Sequence, residues 1–278
     1  MLPSPPPRDI PSALMQSFTM GRRVHVKYEY YDDRAPLSEP RSYSAAQLQE
    51  YLTQISHRKT FYYGKTDFFL YRALEKYSIR GLKVAVIGSA QPLYEAMTLY
   101  YGGIPYTIDY QNIRMDDERL NYLPVTAYDT HKEYFDIAIC ISSIEHDGLG
   151  RYGDPIDPHG DLKAITKIYG LLKKQGLLFL AVPVGEDALV WNAHRIYGKN
   201  RIPLLFKGWS LIDFFGFHSF KVSQPVFVLC KSKSQHLGVV ICFYLLGLFR
   251  LSGIFIRLRQ RLAKMLKPNF VISPRKST

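Results

Sequence analysis

Residues 135–146, FDIAICISSIEH, and residues 160–183, GDLKAITKIYGLLKKQGLLFLAVP, decide the fold. Phe135–Ile141 and Gly176–Val182 are short apolar runs, which is typical of strands buried on both faces. Between them, Asp161–Leu172 has the apolar spacing of a helix. A strand, a helix and a second strand in this order form a crossover between parallel strands. The stretch therefore predicts a parallel sheet that is covered by helices.

The same alternation continues on both sides of this stretch. Toward the N-terminus we predict strands at Leu82–Ile87, at Tyr106–Ile108 and near 120–125, and a helix at Pro92–Tyr101. Toward the C-terminus we predict that Trp209–Phe215 finishes a helix and that two strands follow, at His218–Val222 and Val226–Lys231. The expected fold class is α/β, a Rossmann-like three-layer sandwich whose mostly parallel sheet is closed by an antiparallel C-terminal hairpin.

Composition and periodicity divide the chain into four segments. Residues 1–40 are rich in proline and read as an extended or disordered lead with one short strand near 24–31. Residues 41–80 form a helical lead-in, with a helix capped by Ser44 and a second one over Asp67–Tyr77. Residues 81–232 form the Rossmann-like domain, and residues 233–278 form a hydrophobic and basic tail.

The net charge of +12 comes from the C-terminal part of the chain. No Asp or Glu follows Asp213, whereas eleven Lys and Arg residues do, so the rest of the chain is nearly neutral. This distribution favours an anionic partner at the C-terminus, such as a membrane surface. We expect no nucleic-acid partner, because no basic groove across the domain is indicated.

The cysteines and the N-terminus indicate a reducing compartment. The three cysteines lie in apolar runs without paired spacing, which argues against disulfides and against a metal site. The N-terminus lacks the unbroken apolar core of a secretory signal. These observations favour a cytoplasmic protein.

Three places at strand ends could carry chemistry. Gly88 allows a tight turn before a helix whose N-terminus offers free N–H groups. Asp109 follows Gly88 by 21 residues, at the spacing of an acid that accepts the hydroxyls of a nucleoside ribose. At the end of the strand over 135–141, Glu145, His146 and Asp147 leave the sheet toward the same edge, where their pKa values can shift. Each place could also be only structural.

The quoted stretch resembles the strand-four to strand-five region of class I S-adenosylmethionine (SAM)-dependent methyltransferases, and VFVLCKSK (226–233) resembles the last hairpin of that fold. More specifically, SSIEHDGLGRYGDPIDPHGDL (142–162) and VPVGEDALVWNAHRIYG (182–198) resemble the uncharacterised family catalogued as domain of unknown function 268. The resemblance covers about residues 81–215. It implies a methyltransferase-like fold.

The resemblance also implies SAM as the cofactor and assigns residues to its site. The cofactor would be bound by Gly88, Ser89, Asp109, Tyr110, Ser142 and Ser143. His146 would act as the general base, oriented by Glu145 or Asp147, or His194 would take its place. The chain departs from the family motif, because Val86 replaces the usual acid, and Ala90 and Pro92 replace two glycines. Glu95 or Gln91 could replace this acid only if the following helix turns its side chain toward the cofactor.

Two polar segments follow the strand ends and could form the acceptor site. Arg151 and Asp154 lie in a long Gly- and Pro-rich loop, and His194, Arg195 and Tyr197 follow the strand over 176–182. The two arginines would suit an anionic or sugar-like acceptor. A packed, hydrogen-bonded connector is the alternative.

The tail has the pattern of a helix that lies on a membrane. Residues 237–249 are uncharged, and after them an apolar stripe lies opposite Arg250, Arg257, Arg261 and Lys264. The pattern favours peripheral attachment, and a single C-terminal span is also compatible with it. A helix that packs on its own domain is the alternative.

The sequence thus predicts a SAM-dependent methyltransferase that acts on a hydroxyl of a sugar or of another small polar acceptor. The first alternative is a degenerate module that binds a nucleoside ligand or a protein partner without catalysis. A nicotinamide-dependent oxidoreductase is a weaker alternative, because Ala90 and Leu93 break its glycine motif.

Overall fold

The structure, a computed structural model, describes residues 4–34 and 40–232. Its helices are α1 (Met15–Phe18), α2 (Ala45–Ser56), α3 (Lys65–Lys76), α4 (Leu93–Tyr100), α5 (Ala127–Thr130), α6 (Gly160–Leu171) and α7 (Ile202–Leu205). Its strands are β1 (His25–Tyr28), β2 (Arg41–Tyr43), β3 (Lys83–Ile87), β4 (Ile104–Asp109), β5 (Ile113–Met115), β6 (Asn121–Pro124), β7 (Phe135–Ile141), β8 (Leu172–Ala181), β9 (Ala188–Trp191), β10 (His194–Ile196), β11 (Ser210–Phe215) and β12 (Val226–Cys230).

The predicted fold class is confirmed by a seven-stranded sheet within the described residues. Its strand order is β6-β4-β3-β7-β8-β12-β11. The five strands from β6 to β8 are parallel, β12 is antiparallel to β8, and β11 is antiparallel to β12. From β3 the chain first adds β4 and β6 on one side of the sheet. It then returns to the other side of β3 and adds β7 and β8 there. The carboxyl ends of β3 and β7 therefore form a topological switch point, where ligands bind in sheets of this kind.

The side chains of the central strands point alternately to the two faces of the sheet and pack in two apolar cores. On one face of the sheet, Val84 and Val86 pack with helices α2, α3 and α4. On the other face, Ala85 and Ile87 pack with α6 and α7. Because both faces are covered, each large aliphatic side chain of these strands contributes about 1.5–3 kcal/mol by leaving water. This burial holds the loops at the switch point on a rigid support.

The helical lead-in over residues 41–80 has the two helices that the sequence predicts. The Ser44 side chain caps α2 by accepting a hydrogen bond from Gln47 N at 3.1 Å. Leu48 and Ile55, one face of α2, are fully buried, and α3 follows with Leu70 and Leu74 in the same core. The lead-in therefore covers one face of the sheet.

The C-terminal hairpin differs from the prediction in its first strand. Residues 209–215 were expected to end a helix, but Ser210–Phe215 is strand β11, and no strand covers 218–222 among the described residues. Leu211 and Phe214 pack in one core, whereas Ile212 and Phe215 pack in the other. A short apolar and aromatic run of this kind fits both the spacing of a helix and the alternation of a strand. Its pairing with β12 makes it a strand.

The Pro-rich lead contains the predicted short strand, as β1, but residues 4–34 pack on the domain, unlike the extended or disordered chain that the sequence predicts. Strand β1 pairs in parallel with β9, and β10 pairs with β9 to complete a three-stranded sheet. The fully buried Trp191 meets the ring of Phe18 at 5.1 Å and donates to Pro7 O at 3.2 Å. The composition could not indicate this, because the partner strand lies about 160 residues further along the chain.

The tail prediction for residues 233–278, with its apolar stripe and basic residues, lies outside the described residues. Within the part of the chain that the structure describes, no helix has the length and the hydrophobicity needed to cross a bilayer.

Candidate functional site

The loop after β3 begins with a glycine in a backbone conformation that other residues rarely adopt. Gly88 has a φ of 63°, in the left-handed region. A Cβ on Gly88 would also clash with the hydroxyl of Ser143, which follows β7. Gly88 therefore brings the ends of the two switch-point strands into direct contact.

The rest of this loop is fixed by residues of the helical lead-in. The carbonyl of Ser89 accepts hydrogen bonds from Arg41 Nη1 at 3.0 Å and from the buried Tyr43 hydroxyl. Further along the loop, the Tyr51 hydroxyl donates to Gln91 Oε1. The sequence interpretation missed Arg41 and Tyr43 as site residues, because they precede the domain and carry no motif.

Glu95 lies beneath the loop and is fully buried. Thr107 Oγ1 donates to its Oε1 at 2.6 Å, and its Oε2 lies 3.1 Å from Ser89 Oγ. Ser89 Oγ donates both to this Oε2 and to Gln91 O, the latter at 2.6 Å. Burial raises the pKa of Glu95 to about 7. The helix thus turns Glu95 into the protein, and it does not replace the missing acid at Val86.

Replacing Glu95 by Gln should change how stability depends on pH. The raised pKa stabilises the fold below about pH 4.5, and this contribution is lost as the pH rises to about 7. Glu95→Gln keeps both hydrogen bonds without the charge, so its free energy of unfolding should exceed that of the parent by about 3 kcal/mol at pH 8 and match it near pH 4.5. Urea denaturation of both proteins at several pH values measures this, and parallel pH dependences would contradict it.

The carboxylate of Asp109 lies at the end of β4, beside the glycine loop. Its Oδ1 accepts from Gln111 N at 2.8 Å, and its Oδ2 lies 3.8 Å from Arg41 Nη1. Burial raises the pKa of Asp109, although Gln111 and Arg41 oppose the shift. The side chain is still 13% exposed, and the adjacent Tyr110 is mostly exposed. A ligand can therefore reach this carboxylate.

The segment after β7 brings Ser142 and Glu145 together. Ser142 has a left-handed φ of 50° and donates from Oγ to Glu145 Oε1 at 2.6 Å. Glu145 is fully buried, and its Oε2 has no hydrogen-bond partner among the described residues. Burial raises the pKa of Glu145 to about 7. A buried carboxyl with an open acceptor and such a pKa suits proton transfer near neutral pH.

His146 is a neutral imidazole with one nitrogen available. Nδ1 donates to Ala193 O at 2.6 Å, because a carbonyl can only accept, and Nε2 lies 3.9 Å from Glu145 Oε1. Burial lowers the pKa of His146 to about 4, whereas burial, followed by the nearby Asp154, raises that of Asp147 to about 8. His146 is therefore a weaker base than Glu145 at neutral pH, contrary to the roles that the sequence suggested.

Three of the five predicted acceptor residues are partly exposed, namely Arg151, Asp154 and His194. His194 approaches the His146 ring with centroids 6.3 Å apart. Arg151 pairs with Asp33 at 2.6 Å and stacks on Tyr31. The side chain of Asp154 closes the loop by accepting from the backbone N–H groups of residues 148 and 150 at 2.6 and 3.2 Å.

The other two predicted acceptor residues lie in the interior. Arg195 is 2% exposed and donates to the carbonyl of Asp147 at 2.6 Å. The fully buried Tyr197 donates to Asp161 Oδ2 at 3.0 Å, and Arg201 binds both oxygens of Asp161 at 2.8 and 2.6 Å. Arg195 and Tyr197 therefore use their polar atoms to fix the loops around the site. The sequence interpretation missed Asp161 and Arg201, whose pairing joins positions 40 residues apart.

Comparison with known proteins gives one family and several similar structures. The sequence model of the family described as "Caenorhabditis protein of unknown function, DUF268" matches residues 81–236. A search among curated proteins finds no significant match.

Three methyltransferases are among the similar solved structures. The 1,6-didemethyltoxoflavin-N1-methyltransferase of Burkholderia thailandensis, with bound 1,6-didemethyltoxoflavin and S-adenosylhomocysteine, is 14% identical, with 68% of this chain and 88% of that chain covered and a TM-score of 0.49. A SAM-dependent methyltransferase of Methanosarcina mazei is 12% identical, with 58% and 98% covered and a TM-score of 0.43. One from Archaeoglobus fulgidus is 11% identical, with 66% and 99% covered and a TM-score of 0.44.

Proposed function

We propose, from the premise that this chain belongs to the DUF268 family and has the fold of class I SAM-dependent methyltransferases, that it binds SAM and methylates a small polar acceptor. One observation carries the proposal. The carboxyl ends of β3, β4 and β7 bring Gly88, Asp109 and the segment 142–147 to one edge of the sheet, at its switch point. That edge offers a glycine turn, a reachable carboxylate and a candidate base.

The residues at this edge fit a nucleoside cofactor. Asp109 would accept the ribose hydroxyls, and Tyr110 would cover the base with its exposed ring. The backbone of Gly88 and Ser89, together with Ser142 and Ser143, would line the amino-acid part. The loop keeps its shape without the usual glycines, because the Ser89 carbonyl is held from the helical lead-in.

When bound, SAM supplies an electrophilic methyl group. The task of this chain is then to hold an acceptor in line and to take its proton. For a hydroxyl acceptor we assign the proton to Glu145, whose Oε2 lacks a partner among the described residues. The neutral His146 would orient the hydroxyl through Nε2. A sugar hydroxyl remains one candidate acceptor, with Arg151 and His194 as candidate binding residues for it.

Replacing Asp109 by Ala should weaken the binding of SAM and S-adenosylhomocysteine by about tenfold or more, since charge-assisted hydrogen bonds to the ribose are lost. Asp109→Asn is the matched variant, because it keeps the shape and removes the charge. Titration calorimetry measures both affinities. Equal affinities in Asp109→Ala and the parent would remove Asp109 from the site.

The second candidate function is a module that binds a nucleoside ligand without catalysis. The observation that favours it is the departure of the loop from the family motif, with Val86, Ala90 and Pro92 in place of an acid and two glycines. Tight SAM binding without methyl transfer across a broad acceptor panel would support this candidate.

The membrane partner stays a prediction. It rests on the sequence pattern of residues 233–278, which lie outside the described residues. A cytoplasmic protein peripheral to an anionic membrane is the localisation that we propose from this pattern.

A further inference from the structure

Arg41 belongs to the helical lead-in, outside the residues that match the family, yet it contacts both loops of the proposed nucleoside site. Its strand β2 pairs in parallel with β5, and Arg41 N donates to Asn112 O at 3.0 Å. The backbone of Arg41 is thus held beside the segment that follows Asp109. The position of its Cα atom therefore does not depend on the contacts of the side chain.

The guanidinium of Arg41 spans the space between the two loops. Nη1 donates to Ser89 O at 3.0 Å, and Nη2 donates to Gln111 Oε1 at 2.5 Å. The distance from Nη1 to Asp109 Oδ2 is 3.8 Å, which is too long for a hydrogen bond. An oxygen atom placed to one side of this line can lie within hydrogen-bond distance of both groups. The Arg41 side chain is 32% exposed, so the gap can be reached from solvent.

We propose that Arg41 determines specificity for a ribose, by donating to a hydroxyl that in turn donates to Asp109. A hydroxyl is both donor and acceptor, and it therefore matches a gap between a guanidinium and a carboxylate. A deoxyribose at the same place would leave both groups without this partner. The inference rests on the proposed nucleoside site and adds to it a residue from outside the family domain.

A different role for Arg41 would give the opposite result. If the guanidinium only covered Ser89 and Asp109, a ligand would first have to displace it. Removing Arg41 would then strengthen binding. The two roles therefore differ in the sign of the change in affinity.

The test uses the full chain with Arg41→Gln and with Arg114→Gln as the matched control. Arg114 lies on the neighbouring strand β5, is 69% exposed and pairs with Asp116, so its replacement makes the same change in charge away from the gap. The probes are S-adenosylhomocysteine and its 2′-deoxy and 3′-deoxy analogues, with affinities from titration calorimetry. Thermal unfolding verifies that each variant is folded.

We expect the parent to bind S-adenosylhomocysteine about tenfold or more tightly than at least one deoxy analogue. Arg41→Gln should lose about tenfold in affinity for S-adenosylhomocysteine and much of that discrimination, while Arg114→Gln should match the parent. Tighter binding by Arg41→Gln, or unchanged discrimination, would overturn the role of Arg41 and leave the proposed function standing. A parent that binds none of the three probes would overturn both.

Discussion

Replacing Asp161 by Ala is expected to lower the free energy of unfolding by about 3–5 kcal/mol. Asp161 is fully buried, accepts two hydrogen bonds from Arg201, and lies 3.8 Å from Arg195. Burial acts to raise the pKa of Asp161, but these two arginines outweigh it and hold the pKa below its usual value. Without the carboxylate, two guanidiniums would remain buried without their counter-charge. The loops that Arg195 and Tyr197 hold around the site would lose their common anchor.

Urea denaturation of the parent and the variants measures this effect. Asp116→Ala is the matched control, because Asp116 pairs with Arg114 on the surface and should contribute less than about 1 kcal/mol. Asp161→Asn keeps part of the hydrogen bonding and should fall between the two. If Asp161→Ala lost no more stability than Asp116→Ala, the role of Asp161 as the anchor of Arg195 and Arg201 would be refuted. Arg195 would then again be a candidate acceptor residue.

Replacing Glu145 by Gln is expected to lower turnover about 100-fold or more, with the affinity for SAM nearly unchanged. Gln keeps the volume and the hydrogen bond from Ser142 but cannot take a proton. Because burial raises the pKa of Glu145 to about 7, the turnover of the parent should rise as the pH increases through about 7, when the carboxyl becomes a base. The variant should lack this rise.

The formation of S-adenosylhomocysteine with a panel of small hydroxyl compounds gives the rates. Glu133→Gln is the control, since Glu133 is exposed and pairs with Lys231 far from this edge. A Glu145→Gln variant with the turnover and the pH profile of the parent would exclude Glu145 as the base. His146→Ala distinguishes Glu145 from His146 as the base. If His146 only orients the acceptor, its loss should not remove the rise in turnover near pH 7.

The sequence predicts the central sheet well, because its signals are local. The strand over Phe135–Ile141 has the predicted bounds, and the Ser44 cap lies where the sequence indicates it. Both depend on burial and on hydrogen bonds within a few residues. The prediction of a helix ending at Phe215 was wrong. The conformation of β11 depends on its pairing with β12, and ten residues separate Phe215 from Val226.

The candidate site could be predicted only in part, for the same physical reason. Gly88 and Asp109 follow strand ends, so the parallel topology alone brings them together. Arg41 reaches them through β2 and β5, whose pairing joins positions about 70 residues apart. The interior position of Arg195 depends on Asp161, 34 residues before it, and no local pattern separates such a residue from one that lines a pocket.

Titration calorimetry of the unmodified chain with SAM, S-adenosylhomocysteine and NAD tests the central claim most directly. The proposed site predicts saturable binding of SAM and of S-adenosylhomocysteine with one ligand per chain, and no saturable binding of NAD. Saturable binding of NAD without binding of SAM or S-adenosylhomocysteine would contradict the account.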